Sequence, residues 1–62
     1  MASVIASGIT DERNLSKLKE FVRVKGEKAA IVESSYRHVE CADLKTAIDV
    51  GGFVRNLKYG GN

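Results

Sequence analysis

Cys41 is the only cysteine in this chain of 62 residues, and that pair of facts constrains the fold more than any motif does. A chain this short buries only about 60% of its unfolded surface, so its core is marginal. Small scaffolds usually add a staple: a disulfide, a metal or a second copy of themselves. One cysteine closes no disulfide within the chain. Cys41 and His38 are the only cysteine and histidine, short of the four ligands a structural zinc site takes. Self-association is therefore the expected staple, and a homodimer is its commonest form. A lone cysteine also fits a reducing compartment, so a cytoplasmic location is expected.

An apolar fraction of 44% and a charged fraction of 29% describe a folded globular chain rather than a disordered one. No apolar run approaches the ~18–20 residues of a membrane span. The apolar start lacks a basic segment ahead of it, so it does not read as a signal peptide and no membrane partner is expected. The acidic residues Glu33, Glu40, Asp43 and Asp49 form no paired-carboxylate motif. Gly51-Gly52 and Gly60-Gly61 lack the Gly-Lys-Ser/Thr context of a phosphate loop. A chain this short is also expected to enclose no pocket of several hundred Å3. The expectation is a protein without catalysis and without a cofactor. Cys41 sits among Val39, Ala42 and Leu44 and reads as a buried, inert thiol. His38 reads as a surface or satisfied histidine rather than a base.

With no proline in the chain, glycine supplies the punctuation. Thr10 is placed as an N-cap, with Asp11 and Glu12 in the first turn and Leu15, Leu18 and Val22 on one stripe. These predict a helix over 11–21. Residues 21–33 carry Gly26-Glu27 between two runs rich in valine and isoleucine, which predicts a two-residue hairpin. Ala29, Val32, Tyr36 and Val39 also recur at helical spacing, so a helix over 27–39 competes with the hairpin. A second helix is expected over 42–50, ending at Gly51 in the left-handed C-cap position. Residues 53–59 read as a strand following it. Adding a strand over 3–9, the order is strand, helix, strand, strand, helix, strand, a split βαβ arrangement. The expected fold is one α+β domain over 1–62, two helices on an antiparallel sheet containing the 21–33 hairpin, with 1–2 and 60–62 frayed. The alternative is all-α, with three or four short helices and a helix-turn-helix at the C-terminal end.

Charge is uneven along the chain. Residues 17–28 sum to +3 and residues 51–62 to +2, on either side of a middle, 29–50, at −2. If the two basic segments share a face, Arg23, Lys25, Lys28, Arg55 and Lys58 form a patch for phosphate contact. Ala47, Gly51 and Leu57 also satisfy the small, turn and apolar positions of a helix-turn-helix. The stretch Lys45-Thr46-Ala47-Ile48-Asp49-Val50-Gly51 resembles the corresponding stretch of phage Cro-type repressors over about a dozen residues, with Gly52 standing where an apolar residue is usual. The resemblance implies a DNA-binding transcription regulator, with Arg55 and Asn56 reading base edges and Phe53 and Lys58 facing the groove. DNA is thus the first expected partner. The second expectation is a small inhibitor or adaptor of viral type that docks on a larger protein through Phe53, Tyr59 or Tyr36.

Overall fold

The computed structural model describes residues 2–60. In chain order they form β1 (Ala2–Ile5), α1 (Glu12–Lys25), a 3-10 turn (Gly26–Lys28), β2 (Ala29–Glu33), β3 (Arg37–Cys41), α2 (Leu44–Arg55) and a closing π turn (Asn56–Gly60). Two helices lie on one face of an antiparallel sheet of strand order β1-β3-β2, so the chain is the small α+β domain that its pattern predicts. The fraying expected at Met1 and at 61–62 lies outside the described residues, whereas Ala2 is paired with Cys41 in the sheet.

Side-chain alternation along the strands sorts the sheet into two faces. Register aligns Val4, Val39 and Ile31 in one row, and Ala2, Cys41 and Ala29 in the next. This face meets Leu18 and Val22 of α1 and Ala47, Val50 and Val54 of α2, with Ala6 and Ile9 closing the core. The opposite face carries Ile5, His38 and Val32 in one row and Ser3, Glu40 and Ala30 in the other. No described helix covers it.

α1 begins one residue later than Thr10 suggests. The Asp11 carboxylate accepts the Asn14 N–H at 3.1 Å, giving the cap a negative charge at the positive end of the helix dipole. The helix then runs through Phe21–Lys25, so the hairpin expected at 21–33 is not formed at that place. Gly26, at φ 66°, is the helix cap, its N–H donating to the Arg23 carbonyl. Tertiary contacts override the strand propensity of this segment. Val22 is buried under the sheet, Phe21 stacks on Phe53, and Lys25 pairs with Asp49. The hairpin comes one element later, where Ser34–Tyr36 join β2 to β3 and the Ser34 N–H donates to the Tyr36 carbonyl. The competing helix over 27–39 is replaced by these same two strands.

α2 is capped by Asp43, whose carboxylate accepts the Thr46 N–H at 2.8 Å. Both readings of the C-terminal third end this helix at Gly51, yet it continues to Arg55 without a turn. Two internal glycines cost roughly 1 kcal/mol each against alanine. Burial of Val50 and Val54 and the stacking of Phe53 outweigh that cost. Residues 53–59 consequently form the end of α2 and the π turn rather than a strand. The sheet stops at three strands, and β1 is left with a single neighbour among the described residues.

Candidate functional site

The contacts Phe21–Phe53 and Lys25–Asp49 show that α1 and α2 run antiparallel across the sheet. α1 packs over β2 and α2 over β1 and β3. Along the outward side of α1 runs an open groove of about 950 Å3, lined by that helix with Phe53 of α2 at its edge. That volume exceeds what the chain length leads one to expect, because the groove is a trough along the surface rather than an enclosed cavity.

The stacked rings of Phe21 and Phe53, 4.2 Å between centroids and 14° from parallel, belong to that lining. Lys25 Nζ lies 5.0 Å from the centre of the Phe21 ring and 3.1 Å from an Asp49 carboxylate oxygen, holding the two helices together at that end. Val24, 71% exposed, also lines the groove, as do Arg13, Ser16 and Lys17 on successive turns of α1. The same helix therefore shows one apolar stripe to the sheet and a second, mixed stripe to solvent. Glu20 also lines the groove but is held by Arg23, at 3.1 and 2.6 Å. That hydrogen-bonded pairing holds the Glu20 carboxyl below its ordinary range and raises the Arg23 guanidinium. Among the described residues no carboxylate lies within 4 Å of Arg13 or Lys17.

The cations expected to contact phosphate fall into two groups. Arg23, Lys25 and Lys28 gather at the end of α1, beside the start of α2. Each has an acidic neighbour there: Glu20, Asp49 and, at 3.9 Å, Asp43. Arg55, Asn56 and Lys58 stand at the opposite end of α2, roughly 18 Å along the helix from Asp43 at 1.5 Å per residue. Lys58 reaches back over the loop before α1, where a Cβ on Gly8 would come within 2.9 Å of its Cε. Arg55 and Lys58 have no carboxylate within 4 Å among the described residues. Sequence reasoning passed over Arg13 and Lys17, whose i, i+4 spacing on the solvent side of a helix was the available signal.

The three aromatics expected at a protein interface are also separated. Phe53 lines the groove, Tyr59 is 78% exposed on the closing turn, and Tyr36 lies on the far side of the sheet with its ring 5.0 Å from that of His38. His38 is buried, with Nε2 at 3.4 Å from a Glu40 oxygen and Nδ1 without a partner among the described residues. Cys41 is buried as expected, and burial, with the Asp43 charge second, pushes its thiol above the ordinary range. Among the described residues no three metal-ligating side chains converge, and no helix is long and apolar enough to cross a membrane.

Comparison with protein-family models, with curated proteins and with solved structures gives no match for this chain. The resemblance of residues 45–57 to Cro-type repressors therefore rests on those residues alone.

Proposed function

We propose that this protein is a binding module without catalysis, and that it docks on a larger protein through the groove along α1. The observation that carries this reading is the apolar floor: the half-buried Phe21–Phe53 stack with the exposed Val24 beside it. An apolar strip along a helix, rimmed by polar groups, suits the apolar face of a partner helix. The groove follows α1 for 14 residues, roughly 20 Å, which suits three to four turns of an amphipathic helix laid across it. With Glu20 bound to Arg23 and Lys25 to Asp49, the rim is left with Arg13 and Lys17 against Glu12, a balance that favours acidic residues beside the apolar anchors of that helix. The test is photo-crosslinking from position 24 in the protein's native setting, with position 30 on the opposite face as control. A specific adduct from position 24, lost in Phe53→Ala but retained in Arg55→Ala, supports the reading. Equal labelling from both positions rejects it.

Nucleic-acid binding is the second reading, favoured by a different observation. Arg55, Asn56 and Lys58 are exposed at the end of α2, with Lys58 lying over Gly8 in the loop that leads to α1. Such a cluster suits phosphate contact, with Arg55 and Asn56 nearest in chemistry to base readers. Anisotropy of labelled mixed-sequence duplex DNA at about 50 and 200 mM salt separates the two readings. Binding that weakens steeply with salt and disappears in Arg55→Ala with Lys58→Ala supports DNA as the partner. Absence of binding at the lower salt removes it. Under either reading the single buried cysteine favours the cytoplasm, and the small core favours a homodimer.

A further inference from the structure

The hydrogen-bond phase of β3 fixes what the free edge of β1 presents. The Ala6 N–H donates to the Arg37 carbonyl at 3.0 Å, and the Ala42 N–H to the Lys28 carbonyl at 2.8 Å. In an antiparallel ladder such bonded pairs recur every second residue. Carried through the registers Ala2↔Cys41 and Ala29↔Cys41, β3 therefore bonds to β1 through its odd-numbered residues and to β2 through its even-numbered ones. It follows that Ala2, Val4 and Ala6 spend their backbone groups on β3. The N–H and C=O of Ser3 and Ile5 point away from the sheet. Both residues are exposed, Ile5 to 62%.

We infer that this edge is the interface between two copies of the chain, joined β1 to β1 in antiparallel fashion with Val4 on the two-fold axis. In that register Ser3 of each copy lies opposite Ile5 of the other. Both pairs are of the bonded kind, so every outward N–H and C=O of Ser3 and Ile5 finds a partner. A shift by one residue would set outward groups against inward ones and put apolar side chains on the wrong face. Val4, half-buried at the rim of the core, meets its symmetry mate on the helix-covered face.

A second copy, rather than a foreign strand, is favoured by charge. The chain carries +2, yet no charged residue occurs from Ala2 to Thr10. This is the stretch where two identical basic molecules meet with least repulsion. The neutral edge also lacks the lysine, proline or bulge that isolated sheets use to prevent pairing. The resulting sheet has six strands and all four helices on one side, with the groove along α1 of each copy open. The interface therefore stands independently of what the groove binds.

The test is sedimentation of the intact protein across about 1 μM to 1 mM, paired with amide exchange at both ends of that range. The expected result is a dimer that dissociates on dilution. The amides of Ser3 and Ile5 gain protection with concentration, and those of Ala29 and Ile31 on the other edge do not. Ser3→Pro removes the outward donor at an edge position that proline tolerates. It should raise the dimer Kd at least ~10-fold while helical circular dichroism is retained. If that variant fails to fold, exchange on the unaltered protein still decides. A monomer throughout the range overturns the inference. So does a dimer whose protection appears on α1 or α2 and not at Ser3 and Ile5. Val24→Asp should leave the dimer unchanged, so loss of partner binding in that variant reports on the groove alone.

Discussion

The two edges of the sheet are built on opposite plans. β2 is bounded by charge: Lys28 precedes it, facing Asp43, and Glu33 ends it, bound to Arg37 at 2.7 Å. β1 carries no charge and has no charged residue near it in sequence. An edge strand exposes unpaired N–H and C=O groups whatever its side chains are. What differs is the cost of bringing another strand alongside. At β2 an approaching strand would have to accommodate or displace the ion pairs at both ends. At β1 it meets only Ser3, Ile5 and their neighbours. Three strands thus give one guarded edge and one open edge, and the helices above need not take part in the distinction.

The largest effect comes from destroying both edges together. Val39 is fully buried in the central strand, with Val4 on one side and Ile31 on the other. Val39→Asp places an unpaired charge in that row and should cost roughly 4 kcal/mol or more. In a domain this small that abolishes cooperative thermal unfolding, read by circular dichroism.

A second substitution turns the guarded edge into an open one. Lys28→Val combined with Glu33→Val removes the charges bounding β2. The fold should survive, since both side chains are exposed. Two open edges per molecule permit an assembly that does not close, so light scattering should rise with concentration. Unchanged scattering would mean that charge is not what guards β2.

The smallest effect concerns pH. Hydrogen bonding from Thr46, side chain and then backbone, holds the Asp43 carboxyl below its ordinary range. A depressed folded-state pKa contributes stability that is present above the unfolded value and is lost as pH falls through the folded one. Acidification should therefore weaken the start of α2 and release Lys28 from Asp43. Asp43→Asn keeps an acceptor for the Thr46 N–H and should flatten the acid limb of the melting temperature. The same slope in both proteins would assign the acid sensitivity to other carboxylates.

Much of this fold is legible where local signals and tertiary demands agree. The cap region at Thr10–Glu12, the stripe Leu15, Leu18, Val22 and the apolar N-terminal strand each sit within a residue or a few of their expected places. Legibility fails where a distant partner decides. Phe21–Lys25 look like a strand until Phe53 and Asp49, more than twenty residues later, hold them in a helix. Gly51-Gly52 look like a stop until Val54 proves buried. The groove was hidden for the same reason. Its two phenylalanines lie in segments that each read as strand, and only an antiparallel helix pair brings their rings together. Arg13 and Lys17 were visible as an i, i+4 pair but had no reason to be chosen until that pair was in place.

The register of β1 also has a consequence during synthesis. Ala2 is translated 39 residues ahead of Cys41, its partner in the ladder. At 5–20 residues per second the first strand waits roughly 2–8 s before its neighbour has even been translated. β2 waits on the same strand, since β3 is the last of the three to be made and lies between the other two. No ladder of this sheet forms until its central strand has been made, so the sheet closes late, around β3, rather than growing strand by strand along the chain.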